Sequence, residues 1–310
     1  MPPDYRKCWL KLAVIVLSVV AGADRVTAVE PVELKKAGND NYRLMAGKKE
    51  LAVLMPNAWQ GNLNILSTQN KTVCGVSWPH FLLHSEGKWL TDRVESEGLN
   101  LVEFKTLSTS GSVIGYRGRW KFRDYCTSSE CHFVWYDSAN ATQVHLVKTQ
   151  IEILKDMADI SSAWVEFMSP ENSYAMVAAK VKEGKIITMN VSATGANANM
   201  HYLDGYELAN DGWITIYGAR KGQDACVAMA PINHSSGAVS PRINNGHVDN
   251  IEMHVLDARN RNSLTKGQTF SLEYLLLVGP DQKDWKWIDP AVQSARTFMT
   301  NNPTLADCSL

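Results

Sequence analysis

Period-two alternation runs through most of this chain, and it excludes a helical fold. Residues 112–122 show it most clearly. Tyr116, Trp120 and Phe122 share one parity there, and Arg117, Arg119 and Lys121 share the other. Successive side chains of an extended strand point to opposite faces, so this segment buries aromatics on one side and presents cations on the other. The last third repeats the pattern at 211–218, 224–230 and 267–278.

Further strands are expected at 51–55, 99–107, 131–136, 142–154, 163–168, 175–181 and 185–191. Turns are expected at 182–185, 210–212 and 220–223, where Gly, Asn and Asp cluster. Helix is scarce. One is expected at 290–299, with Pro290 at its start and Asn301, Asn302 and Pro303 as its stop, and a short one around 155–160. A dozen or more strands exceed what one open sheet holds without curling, so two packed sheets are predicted.

The first residues read as an export signal. Arg6, Lys7 and Lys11 precede the apolar run 12–21, and Ala21-Gly-Ala23 or Val26-Thr-Ala28 fits a cleavage site. Residues 1–28 are therefore assigned to a signal peptide and 29–310 to a single domain, secreted or periplasmic. An uncleaved membrane anchor is the alternative, although the apolar run is short for a span. No later apolar run is long enough to cross a bilayer. Of 31 basic and 32 acidic residues, cleavage after Ala23 removes Arg6, Lys7, Lys11 and Asp4 and leaves 28 and 31, a net charge of −3. That balance argues against nucleic acid as a partner.

Five cysteines follow the signal. Cys126 and Cys131 have the spacing of a bridge clamping a hairpin tip, and an export route permits disulfides. Cys226 lies in an apolar strand and is expected as a buried thiol. The pairing of Cys74, Cys226 and Cys308 is left open by spacing, and no second close Cys pair supports a zinc site.

Strand 212–217, followed by 225–230 and by the closing run 264–278, resembles the strands of galactose-mutarotase-like supersandwiches. The resemblance covers about residues 51–278. It implies an all-β fold, a large antiparallel two-sheet supersandwich with one short C-terminal helix. It also implies a carbohydrate ligand, a polysaccharide or its fragments, held in a cleft on a concave sheet. The catalytic His and late Glu base of the mutarotases do not align with this chain, so mutarotation is not implied.

Several residues have the types that acid–base chemistry on a sugar needs. His80, His84 and Glu86 share parity on an extended strand beside Trp78, and two imidazoles with a carboxylate transfer protons or ligate a divalent metal. Glu252 and His254 share parity downstream of His247 and Asp249. A carboxylate beside an imidazole sets its tautomer. His201 and Tyr202 are expected in a loop rich in Asn and Gly. Their pairing is similar to the proton-abstracting pairs of polysaccharide lyases, where Arg119 and Arg242 would hold the substrate's anionic group. The expected catalytic set is thus His80, His84, His201, His254 and Glu252, and the expected binding set Trp78, Tyr202, Arg119, Arg242 and His247. Each also has a plain reading as a solvated sheet-face residue, which makes a non-catalytic binding or envelope protein the alternative. Trp285 and Trp287 would present both rings on one side if extended, as a sugar-stacking platform. The Walker loop, the dinucleotide fingerprint, the Gly-x-Ser-x-Gly elbow and the His-Glu-x-x-His pair are all missing from the sequence.

Overall fold

The computed structural model describes residues 29–38, 41–56, 62–66, 72–77, 81–85, 88–89, 99–107, 109, 111–170, 173–190, 201–202, 206–220, 223–234, 240–244, 248–254, 262–306 and 308. The strands begin with β1 (Val29–Glu30), β2 (Val32–Ala37), β3 (Asn41–Ala46), β4 (Lys49–Met55), β5 (Asn62–Leu66), β6 (Thr72–Ser77), β7 (Phe81–Ser85) and β8 (Lys88–Trp89). The middle of the chain forms β9 (Leu99–Leu107), β10 (Ile114–Phe122), β11 (Cys126–Asp137), β12 (Thr142–Ile153), β13 (Met157–Pro170), β14 (Tyr174–Val181) and β15 (Ile186–Asn190). The remainder is β16 (His201–Tyr202), β17 (Leu208–Ala219), β18 (Ala225–His234), β19 (Ser240–Asn244), β20 (Val248–His254), β21 (Asn262–Leu264), β22 (Thr269–Pro280) and helix α1 (Ile288–Asn301).

These strands make two antiparallel sheets. A ten-stranded sheet runs β15-β14-β17-β18-β22-β12-β11-β10-β9, with β1 on β11. A twelve-stranded sheet runs β16-β19-β20-β13-β6-β5-β4-β3-β2, with β7 and β21 on β13, and β8 on β7. The architecture is the two-sheet supersandwich that the resemblance implied.

Alternation decides what enters the core. Tyr116, Trp120 and Phe122 of β10 join Leu44, Leu54 and Ile65 of the other sheet in one cluster between the layers. The opposite parity of the ten-stranded sheet is apolar at one end only. Phe133, Trp135, Trp213 and Leu277 there meet Ile288, Ala291, Val292, Ala295 and Phe298 of α1. Spacings of three and four along α1 give it a single apolar stripe. Phe298 stacks on Trp135 at 4.8 Å between centroids. Asp289 in the first turn complements the helix dipole and also pins it. It accepts from Trp213 Nε1 at 2.9 Å and pairs with Lys180 Nζ at 3.1 Å.

The inter-sheet core also holds charge. His132 Nε2 lies 3.1 Å from Glu130 Oε2, and both side chains are fully buried. The His132 ring stacks on Tyr116 at 4.9 Å. Burial of the Tyr116 hydroxyl, with Glu130 nearby, raises its pKa far above that of a free phenol.

Four expectations are corrected. First, Cys126 and Cys131 lie on one strand, β11, five positions apart. Odd spacing puts them on opposite faces, and five residues span ~17 Å, far beyond disulfide reach. The hairpin tip lies earlier, where Tyr125 N–H donates to the Phe122 carbonyl at 3.0 Å. Cys131 is instead bonded to Cys308, with Cα atoms 6.6 Å apart, and Cys126 is a buried free thiol, as is Cys226.

Second, no helix forms at 155–160. β13 starts at Met157, and its register shifts between Met157 and Ile160. Asp159 takes φ +61° in that irregularity. The shift lets both apolar residues reach the core although they are three apart.

Third, 210–212 is a bulge rather than a turn. Val181 pairs with Leu208 and Lys180 with Trp213, so the residues between bulge out of a continuous β17. A Cβ on Gly212 would lie 2.6 Å from the Lys180 carbonyl oxygen, so only glycine fits.

Fourth, Trp285 and Trp287 form no extended platform. They pack at the α1 interface, where the Trp285 ring meets Trp213 at 5.8 Å. Trp287 covers Gly279, where a Cβ would lie 2.8 Å from its ring.

Candidate functional site

The twelve-stranded sheet organises most of the flagged residues. Ile251 and Met253 of β20 are buried in the inter-sheet core, so Glu252 and His254 occupy the outward parity of that strand. Register then fixes their neighbours. Glu252 pairs with Arg242 of β19 on one side and with Glu166 of β13 on the other. Arg242 pairs in turn with Tyr202 of β16. Four residues therefore form one rung, Tyr202–Arg242–Glu252–Glu166, about 14 Å from end to end at the interstrand spacing.

One rung along, His254 pairs with Ser240 and Trp164, and Trp164 with Leu82 of β7. At the next, His84 pairs with Ser162 and with Trp89. His84 and His254 thus share a sheet face with the rung, flanking β13 from its two sides, with backbones ~12 Å apart.

Glu252 is only 2% exposed, although it lies on the face opposite the core cluster. The residue opposite it in register is Arg242. The rung alternates hydroxyl, cation, anion, anion. By residue type, carboxylates and guanidinium groups make paired hydrogen bonds to vicinal diols, and aromatic rings stack on sugar rings.

Other expectations do not converge there. His201 pairs with Ile243, which pairs with the buried Ile251, so its position has core-side parity. His201 and Tyr202 also belong to a strand, not a loop, because β19 supplies their ladder. Arg119 lies on the other sheet, exposed on its outer face. Trp78, His80, Glu86 and His247 lie outside the described residues. Among the described residues, no group of three His, Cys, Asp or Glu side chains is placed to hold a metal.

Trp164 is among the tryptophans the sequence offers for sugar stacking, whereas Glu166 was passed over. The signal was present: Ala163, Val165 and Phe167 alternate with them and are buried.

No protein-family profile matches the sequence, and no curated protein matches it. Solved structures do resemble the fold. The GH36 alpha-galactosidase AgaB from Geobacillus stearothermophilus is similar with a TM-score of 0.51 and 13% identity, over 81% of this chain and 41% of that one. The alpha-N-acetylgalactosaminidase NagBb from Bifidobacterium bifidum is similar with a TM-score of 0.44 and 11% identity, over 82% and 38%. The chain therefore spans about two fifths of the length of these enzymes, and the likeness is one of fold.

Proposed function

We propose that this protein is exported and binds a polysaccharide or oligosaccharide on the outward face of the twelve-stranded sheet. The observation that carries the proposal is the Tyr202–Arg242–Glu252–Glu166 rung, with His254 and His84 on the same face. The occurrence of this fold in glycoside hydrolases agrees with a sugar ligand but does not select a reaction. Export is supported by the basic and apolar N-terminal run, and by the Cys131–Cys308 bond, which persists in oxidising compartments.

In a catalytic reading, Glu252 acts as or orients the base, His254 or His84 moves the proton, and Arg242 holds an anionic group of the sugar. A glycan array followed by product analysis tests this. Binding with new unsaturated or epimerised ends, lost in Glu252→Gln, supports catalysis. Binding without product, weakened in Arg242→Ala, supports a binding module. Absence of binding to any glycan overturns the proposal.

A further inference from the structure

The outer face of the ten-stranded sheet carries a polar cavity. α1 covers one end of that face, and the other end is open around a cavity of about 320 Å³ lined by Glu103, Arg117, Arg119, Ser129, Gln150 and Glu152 among others. That size is at the low end for ligand pockets, ~300–1,000 Å³, and suits one monosaccharide better than a chain.

Its charges are arranged unequally. Arg117 Nη2 donates to Glu103 Oε2 at 2.7 Å, and Lys105 Nζ lies 2.9 Å from Glu103 Oε1. Those two hydrogen bonds, Lys105's first, hold the Glu103 carboxyl below the usual carboxylate range. Glu103 is the residue opposite Arg119 in register, but it is engaged by these neighbours instead. Arg119 makes no ion pair among the described residues. A bulge between Arg119 and Trp120 also leaves Val102 unpaired and exposed on the edge strand β9.

Neutral hydrogen-bonding groups follow along the rung. Arg119 pairs with Ser129, and Ser129 with Gln150. Glu152 lies one rung further, opposite Thr127 and Thr269, which complete the lining. Arg119 and Glu152 are two strands and one rung apart, ~12 Å between backbones. The cavity thus has a guanidinium fork at one end, a hydroxyl and an amide in the middle, and a carboxylate acceptor at the other.

We infer that this cavity binds a monosaccharide-sized polyhydroxylated carboxylate, a uronic acid in chemical class. The carboxylate sits on Arg119, and the ring hydroxyls on Ser129, Gln150 and Glu152. Arginine matches a carboxylate with two parallel N–H bonds, and Glu152 accepts from hydroxyls rather than repelling the distant anionic end. The site is on the opposite sheet from the Glu252 rung and does not depend on it.

Calorimetric titration of the full chain with glucuronate, glucose, glucosamine and acetate at fixed ionic strength tests the inference. Glucuronate is expected to bind at least tenfold tighter than the other three. Arg119→Ala is expected to remove that preference and Gln150→Ala to weaken it. Both cavity substitutions are at partly or fully exposed positions, and an unchanged melting transition establishes that the variants are folded. Equal binding of acetate and glucuronate, tighter binding of glucosamine, no measurable glucuronate binding, or glucuronate affinity unchanged in Arg119→Ala would each overturn it.

Discussion

Cys131, in the middle of β11, is bonded to Cys308 near the end of the chain, 177 residues away. The bond ties the segment after α1 to the outer face of the ten-stranded sheet. A loop that long gives about 5 kcal/mol by the chain-entropy relation, and measured bridges give ~2–4 kcal/mol. Cys308→Ser is therefore expected to lower unfolding free energy by about 2–4 kcal/mol in denaturant titration. Non-reducing peptide mapping is expected to recover a 131–308 linked peptide. A 126–131 linkage would contradict the structure.

The Glu130–His132 pair is expected to be costly to break and cheap to replace. Removing one partner of a buried ionisable pair costs ~3–5 kcal/mol. Glu130→Ala and His132→Ala are each expected to destabilise by that amount in thermal or chemical melts. The double variant Glu130→Leu/His132→Phe is expected to recover part of the loss. Additive losses would mean the two groups are not coupled.

Alkaline pH is expected to destabilise the fold in a thiol-dependent way. Burial pushes both Cys126 and Cys226 from 9.0 up to about 12. Between those values the unfolded chain ionises and the folded one does not, so unfolding releases protons and stability falls as pH rises. Below pH 9 both states are protonated and the effect vanishes. Each thiol contributes a slope of ~1.4 kcal/mol per pH unit. Urea midpoints measured from pH 8 to 10.5 are expected to fall less steeply in the Cys126→Ala/Cys226→Ala variant. An unchanged slope would count against buried, protonated thiols.

Register separates the histidines into two groups. His254 and His84 share the face of Glu252, whereas His201 has the parity of Ile243 and Ile251. His84→Ala and His254→Ala are expected to impair glycan turnover or affinity at least tenfold with little change in melting temperature. His201→Ala is expected to shift the melting temperature and leave affinity alone. The reverse pattern would place the site elsewhere.

Much of this fold is legible in the sequence, because alternation is a local property. The split of Tyr116 and Trp120 from Arg117 and Arg119 follows from spacing alone. The disulfide is not legible in that way: five-residue spacing suggested a hairpin, while the strand continues through Thr127–Glu130 with polar residues facing the core. The short helix expected at 155–160 is strand because the register shifts between Met157 and Ile160, a feature that local pattern does not show. The site is half legible. Shared parity of Glu252 and His254 is local, but the pairings of Glu252 with Glu166 and Arg242 with Tyr202 join segments far apart in the chain, and only the sheet reveals them.

Hydrogen–deuterium exchange with the best-binding oligosaccharide from the array tests the location of the site most directly. The account expects slowed exchange in β16, β19, β20 and the facing part of β13, with that protection lost in Arg242→Ala. Protection that bypasses β19 and β20, or that persists undiminished in Arg242→Ala, would contradict it.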